Sequence, residues 1–453
     1  MIPSALYNKY NVPGPRYTSY PTVPFWETTP SAHEWEMHAK ETFQKTNSNE
    51  GISIYIHLPF CESLCTYCGC NTRITVNHAV EEIYINALLK EWRLYLDVFE
   101  TAPRIRELHL GGGTPTFFKA ENLRKLITGI TSNALVCEDA AFSFEAHPNN
   151  TTVEHLTVLY ELGFKRISIG VQDLNPEVQQ IVNRIQPFEA VQTLTEESRK
   201  AGFDSVNFDL IYGLPLQTKE SIVNTMEKVI ELRPDRIAFY SYAHVPWIKP
   251  GQRKFTEADL PKDEEKLELY KTGRALLEKT GYKDIGMDHF ALETDELYLS
   301  TISKRLHRNF MGYTPFSTSL LIGLGASSIS DTWTAFVQNE KKVEDYYKRI
   351  KEGRIPFFRG HLLTGEDQIL RRHILNIMCY METSWKEKEM QCPYIQQAVE
   401  ALADLEKDGL VIIQETGLRV SSAGLPFIRN ICMAFDARLK AKEQSAVKFS
   451  KTI

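Results

Sequence analysis

Nowhere in the 453 residues does an apolar run approach the roughly eighteen residues that a membrane-crossing helix requires, so no such helix is expected. The opening MIPSALYNKYNVPG has no apolar core of the kind a secretory signal carries. Low-complexity segments are absent, and no repeat is visible beyond an alternation of element types. Charge of one sign is also lacking. The 52 Lys and Arg against 58 Asp and Glu leave a net −6, and the pI is near 6.1. That balance argues against a nucleic-acid backbone as partner. A hydrophobic share of 43% and a charged share of 24% are those of an ordinary globular chain, long enough for two or three domains. Cysteine is scarce, at eight residues, and it is not spread as a disulfide framework. Cys137, Cys379, Cys392 and Cys432 are scattered and read as buried free thiols. Reduced thiols without an export signal lead us to expect a cytoplasmic protein.

The other four cysteines crowd together. Cys61, Cys65, Cys68 and Cys70 fall within ten residues, in IYIHLPFCESLCTYCGCNTR. Their spacing, C-x3-C-x2-C-x-C, differs from the ferredoxin run in which every iron is closed off by cysteine. Three thiolates on one short loop can hold three irons of a [4Fe–4S] cubane. The fourth iron then stays open to a substrate or cofactor, as the open position of a catalytic metal site does. A structural zinc ion is the rival reading, because four close thiolates satisfy tetrahedral zinc. The flanks weigh against it: an apolar strand over 52–56 runs straight into the loop, Tyr67 precedes the third cysteine, and a strand ending in Gly111-Gly112-Gly113 follows.

Short β-rich runs alternate with helical patterns. We expect strands over 52–57, 106–110, 141–145, 166–170, 205–211 and 236–242. Helices are expected over 79–99, 120–133, 153–162, 188–201, 219–232 and 262–279, with Gly163 and Gly202 placed as helix-ending glycines. Six such units imply parallel βαβ architecture, an α/β partial barrel rather than a closed eightfold one. In such folds functional groups gather at the carboxyl ends of strands. There the chain places the cysteine loop, the triple glycine with Thr114, Glu145, Gly170 with Gln172, Asp209, and Ala243-His244. Three consecutive glycines are costly for a plain turn and suit a backbone that approaches a ligand closely. Glu145 and Asp209 read equally as salt-bridge partners of Arg166 or Arg184 and as acceptors for a ribose hydroxyl or an ammonium group. The run Gly323-Leu324-Gly325-Ala326-Ser327-Ser328 lacks the third glycine of a dinucleotide loop and is read as packing.

The cysteine spacing is the signature of the radical S-adenosylmethionine (SAM) enzymes. Along nearly its whole length the chain resembles the oxygen-independent coproporphyrinogen III oxidases. The matching segments are PGPRYTSYPT (13–22), YIHLPFCESLCTYCGCN (55–71), ELHLGGGTPT (107–116), SIGVQD (168–173), NFDLIYGLP (207–215), GMDHF (286–290), LHRNFMGYT (306–314) and NICMAFD (430–436). The arm and the fourth cysteine are more specific than the cluster motif, since heme-chaperone-like relatives typically lack both. The resemblance implies that Cys61, Cys65 and Cys68 hold the cluster and that Cys70 is an essential non-ligand. It implies a first SAM lined by Tyr55, Gly112, Glu145 and Ile329. A second SAM would be lined by Tyr67, Gly113, Thr114, Gln172, Arg184, Asp209 and Ala243. One departure is visible: the family's Glu-x-Asp-Pro is here Glu145-Ala146-His147-Pro148, which keeps the glutamate and replaces the aspartate.

The implied reaction is oxidative decarboxylation of two propionates of coproporphyrinogen III to vinyl groups, giving protoporphyrinogen IX. A 5′-deoxyadenosyl radical takes hydrogen from the propionate β-carbon. The four carboxylates of the substrate call for cations, and Arg16, His307 and Arg308 are the candidates. The expected partners are this tetrapyrrole, an electron donor for the cluster and an electron acceptor, with no nucleic acid and no membrane. The protein is expected to be a monomer. Two other functions use related chemistry: a heme-binding or heme-trafficking module, and a radical SAM methyltransferase or tetrapyrrole-cleaving enzyme.

We expect an arm over 1–36, the barrel over 37–335 and a lid-like domain over 336–453. The last is mainly helical with a small β-wing, and a charged helix near 340–352 leads into it. The arm has five prolines before residue 26 and no periodicity, and is expected to fold over the barrel mouth. A winged-helix DNA reader is the alternative for the last domain, and Arg371-Arg372-His373 is its sole basic cluster. The basic stretch after Arg438 is read as a solvated helix end.

Overall fold

The computed structural model describes residues 4–441 and 449–452. Most of the basic stretch after Arg438 therefore lies outside the described residues. Six parallel strands follow one another in chain order across the sheet: β1 (Ile52–Leu58), β2 (Arg104–Gly112), β3 (Leu135–Ala146), β4 (Phe164–Gln172), β5 (Ser205–Tyr212) and β6 (Arg236–Ser241). Each connection carries a helix, among them Val80–Phe99, Ala120–Thr131, Val153–Glu161, Phe188–Ala201 and Lys219–Leu232.

Alternation along the strands explains why one face is apolar and the other polar. On β1, Ile52, Ile54, Ile56 and Leu58 are fully buried in a core shared with Trp35, Leu88 and Trp92 of the surrounding helices. The intervening Ser53, Tyr55 and His57 turn to the other side. There Ser53 Oγ donates to Glu107 Oε2 at 2.6 Å, and the Tyr55 ring stacks on His109 at 6.0 Å. The polar layer continues with His109 Nδ1 to Ser143 Oγ at 2.8 Å and Arg166 Nη2 donating to Ser143 Oγ at 3.0 Å. A barrel interior of this kind can bind polar ligands while its outer face packs.

The sheet extends beyond the six expected strands on both sides. A hairpin of β7 (Lys283–Gly286) and β8 (His289–Ala291) joins antiparallel to β6. A separate hairpin, β9 (His307–Asn309) with β10 (Gly312–Thr314), precedes β11 (Leu321–Leu324), which lies parallel to β1. Then β12 (Ile329–Asp331), β13 (Ala335–Asn339) and β14 (Phe357–Leu362) add antiparallel. The run from Gly323 is thus the end of β11 and the turn into β12. A Cβ there would meet the Ile329 backbone, and Gly325, at φ +95°, sits against the His57 carbonyl. The division expected at 335/336 falls inside β13, and the charged helix, Val343–Lys351, connects two strands of this sheet.

Beyond Leu362 come the helix Gly365–Tyr380, shorter helices over Ile395–Ala401, Ala403–Lys407, Ile428–Ala434 and Ala437–Ala441, and a three-stranded wing of Glu382–Ser384, Gly417–Val420 and Val411–Gln414. The basic cluster of this unit faces inward. Arg371 is buried, pairs with Asp331 and lies 4.1 Å over the Trp333 ring, and His373 is fully buried.

The arm departs from expectation in containing a helix, Ser4–Tyr10. Tyr7 Oη donates to the Asp263 carbonyl at 3.1 Å, and Tyr10 Oη to Asp408 at 2.6 Å. Tyr17 and Tyr20 are buried in the core of the C-terminal unit, and Phe25 is buried as well. Tertiary contacts supply the order that local periodicity does not. Arg429 donates to the carbonyls of Gly14, Pro15, Lys451 and Thr452, tying the arm to the chain's last described residues.

Candidate active site

β1 ends in the cysteine loop because the helix that follows begins only at Val80, so the intervening chain must find its order in tertiary contacts. Those contacts come from neighbouring strand ends. Gly113 N–H donates to the Leu58 carbonyl at 2.8 Å and Thr114 N–H to Phe60 at 3.0 Å. Asn183 Nδ2 holds the Leu64 carbonyl at 2.8 Å, Gln252 Nε2 the Tyr67 carbonyl at 3.1 Å and Lys249 Nζ the Cys70 carbonyl at 3.0 Å. His57 Nε2 meets the Asn71 carbonyl at 2.9 Å.

Cys61, Cys65 and Cys68 are half-buried, and all three are free thiols. Cys61 Sγ lies 3.4 Å from Thr114 Oγ1, and Arg184 Nη1 donates to Cys65 Sγ at 3.7 Å. Burial pushes the Cys61 thiol up to about 11, and hydrogen bonding to Cys70 pulls Cys68 down. Each thiolate of a cubane binds a different iron, so three sulfurs need not converge on one point, and among the described residues they do not. Three soft thiol donors on a loop that other elements hold open fit such a cluster.

The loop forms one wall of a chamber of about 820 Å³. Opposite it stand the strand ends. Gly112, at φ +116°, leaves no room for a Cβ, which would lie 2.7 Å from the His57 ring, and a Cβ on Gly113 would meet the Pro59 and Phe60 backbone. Only glycine lets this strand end pass so close to β1 and the loop. Gly112 N–H donates to Glu145 Oε2 at 3.1 Å, and His109 Nε2 lies 3.7 Å from Oε1. Burial acts to raise the Glu145 carboxyl, but His109 and the Gly112 amide hold it below its ordinary value.

Further along the rim, Asp209 accepts from Ser168 Oγ at 2.8 Å and Asn207 Nδ2 at 3.0 Å, and burial raises its carboxyl to about 6. Gln172 reaches its place through backbone at φ +63°. Arg184 Nη2 donates to the Gly170 carbonyl at 2.6 Å, which fixes the guanidinium beside Cys65. The Ala243 carbonyl accepts from Gln252 Nε2 at 3.2 Å. His147, in the aspartate's place, also lines the chamber. Burial and the Arg184 charge lower its imidazole to about 3, so it stays neutral at physiological pH.

The chamber therefore brings together all four cysteines, Tyr67, Gly112, Gly113, Thr114, Glu145, Gln172, Arg184, Asp209, Ala243 and Arg16. Tyr55 and Ile329 stand off its wall. Tyr55 Oη meets His57 Nδ1 at 3.1 Å, and Ile329 lies across Gly323 from β1. His307 is buried on β9 and lowered to about 4 by burial, so it is uncharged at neutral pH, and Arg308 is buried beside it. Sequence reasoning passed over His57, His109, Lys249 and Gln252. His57 and His109 could have been found from their register with Tyr55 on the inward face, but nothing in the sequence points Lys249 or Gln252 at the loop.

The Radical SAM superfamily model matches residues 55–229. An oxygen-independent coproporphyrinogen III oxidase of Salmonella typhimurium is 40% identical over 99% of this chain and 98% of its own length. One from Synechocystis is 39% identical over 99% of this chain and 97% of its own. A solved structure, the coproporphyrinogen III oxidase of Escherichia coli described as a radical SAM enzyme, superimposes with a TM-score of 0.90 at 37% identity. The match covers 96% of this chain and 99% of that one.

Proposed function

The chain belongs to the oxygen-independent coproporphyrinogen III oxidases of the radical SAM superfamily, and from that premise we propose that it converts two propionates of coproporphyrinogen III to the vinyl groups of protoporphyrinogen IX. It is an oxidoreductase of porphyrin biosynthesis, and its cofactors are a [4Fe–4S] cluster and SAM. The observation that carries the reading is the single chamber that joins three free thiols to a glycine strand end and two strand-end carboxylates. When bound, the cluster and SAM would supply one-electron chemistry for removing hydrogen from a propionate β-carbon, and loss of CO2 and of one electron to an acceptor would balance formation of the vinyl group.

In this reading Cys61, Cys65 and Cys68 are the cluster ligands. Glu145 and the Gly112 strand end would hold the SAM methionine, with Glu145 accepting from its ammonium, while Tyr55 and Ile329 would support that site from behind. Tyr67, Gly113, Thr114, Gln172, Arg184, Asp209 and Ala243 form a second SAM-sized wall, on which Asp209 accepts from a ribose hydroxyl. Arg16 carries positive charge to the chamber for substrate carboxylates. His307, being uncharged, would contribute a hydrogen bond and no ionic attraction. The arm and the unit after Leu362 would close the mouth and exclude water. An electron donor and an acceptor complete the cycle. The protein would work as a cytoplasmic monomer without nucleic acid or membrane. Among the described residues no helix is long and apolar enough to cross a membrane.

Reconstituted enzyme, incubated anaerobically with SAM, a reductant and coproporphyrinogen III, tests this. Mass spectrometry should show sequential loss of two carboxyl groups with consumption of SAM. Methylated or ring-opened product, or heme binding without turnover, would replace the proposal.

A further inference from the structure

Around the turn between β7 and β8 the fold gathers the charges of Arg16, Arg308, Arg429 and Lys266 about Asp288. Arg308 is only 6% exposed, yet its Nε and Nη1 find no hydrogen-bond partner among the described residues. Its guanidinium carbon lies 4.6 Å from the Tyr313 ring centre, which covers one face of the cation. Buried charges are ordinarily paired, so an unpaired guanidinium marks a place where an anion is expected. Asp288 stands close by, on backbone held at φ +69° next to Met287 at φ +44°. Burial raises its carboxyl against the charges of Arg16, Arg429, Arg308 and Lys266, and among the described residues its one ion pair is with Arg16 Nη1, at 4.0 Å.

Two of those four cations are committed elsewhere. Arg429 donates to backbone carbonyls of the arm and the tail, and Lys266 Nζ donates to the Tyr242 carbonyl at 2.7 Å. Arg16 gives Nη2 to the Ser241 carbonyl at 3.3 Å, so Arg16 and Arg308 retain unused donors. Arg16 and Tyr240 both line the chamber. Tyr240 Oη meets His289 Nε2 at 3.2 Å, and the Arg308 charge acts on both groups, so Tyr240 is shared between the chamber wall and the surroundings of Arg308. The other His289 nitrogen donates to the Met287 carbonyl at 2.7 Å, which leaves Nε2 to accept from Tyr240.

We propose that Arg308 and Arg16 form a carboxylate subsite for one propionate of the tetrapyrrole, and that Asp288 is the internal counter-ion which that propionate displaces. The inference rests on the reading of the chamber as a coproporphyrinogen site. A propionate presents two oxygens, matching the guanidinium fork in a way a point cation does not. Asp288 sits on a constrained turn and stays at 4.0 Å from Arg16, so a mobile carboxylate can make the closer contacts that it does not.

Coproporphyrin III, the stable oxidised form of the substrate, serves as the probe. It is titrated anaerobically into cluster-loaded enzyme, with binding read by quenching of protein fluorescence, beside its tetramethyl ester, which has no carboxylate. Arg308→Gln should weaken the tetra-acid by at least about tenfold and leave the ester unchanged. Asp288→Asn should tighten the tetra-acid several-fold, an effect no merely structural role predicts. Where Arg308→Gln does not fold, Arg308→Lys replaces it and should weaken the tetra-acid several-fold through loss of the fork. Wild-type affinity in the Arg308 variant, or an equal loss for the ester, would overturn the subsite. A wild-type enzyme that binds neither pigment would remove the substrate reading itself.

Discussion

Cys68 and Cys70 are neighbours on the loop but differ in their relation to it. Cys68 is half-buried, while Cys70 is exposed and its carbonyl is tied to Lys249. Changing Cys61, Cys65 or Cys68 to Ser should abolish the cluster, because each of the three thiolates would hold a separate iron. Cys70→Ser should keep wild-type iron and sulfide while losing turnover. Iron and sulfide analysis of the four anaerobically purified variants checks this, and loss of cluster in Cys70→Ser would contradict the assignment. At Glu145 the carboxylate is oriented by the Gly112 amide at 3.1 Å and by His109. A charge-assisted bond to the SAM ammonium is worth roughly 1.5–3 kcal/mol. Glu145→Ala should therefore weaken SAM about ten- to a hundredfold with cluster content intact. Unchanged SAM affinity by anaerobic titration would take Glu145 out of the site. Burial and the Arg184 charge keep the His147 imidazole neutral on the chamber wall.

Elements were readable from sequence where one face was apolar throughout. The strand at Ile52, Ile54 and Ile56 and the helices over Phe188–Ala201 and Lys219–Leu232 follow directly from periodicity. The strand-end rule places Glu145, Asp209 and the glycines together at the carboxyl end of the sheet. The late strands escaped because they are short and punctuated by Gly323, Gly325 and Gly360, whose neighbours leave no space for a side chain. The arm helix escaped because its contacts are with residues hundreds of positions away. Asp367 shows how such distant contacts stabilise an element. It caps the helix Gly365–Tyr380 through Thr364 and accepts from Arg438 at 2.8 Å. Although burial raises it, His361, Arg438 and Thr364 hold the carboxyl well below the usual aspartate range. A group lowered in the folded state contributes stability above its unfolded value and loses it as pH falls through the folded one. Asp367→Asn should cost about 1–3 kcal/mol at neutral pH. That difference should shrink as pH drops below about 4. Urea unfolding at the two pH values measures it, and an equal cost at both would contradict the ionic explanation.

For the molecule as a whole, the barrel supplies the strand ends and the loop, while the arm and the C-terminal unit share one core that holds Tyr17 and Tyr20. Arg16 lies on the same arm segment as those tyrosines and reaches the chamber, so the packing of the periphery fixes a cation on the chamber wall. Arg16→Ala should leave cluster and SAM binding intact and raise the substrate KM by about tenfold. Steady-state kinetics check it, and an unchanged KM would dissociate the arm from substrate binding. The central claim is that the chamber holds the propionate β-carbon where SAM-derived chemistry removes its hydrogen. Coproporphyrinogen III deuterated at the propionate β-carbons tests it most directly. The account predicts deuterium in the recovered 5′-deoxyadenosine together with vinyl product. Vinyl product accompanied by unlabelled 5′-deoxyadenosine, or formed with no SAM consumed, would contradict it.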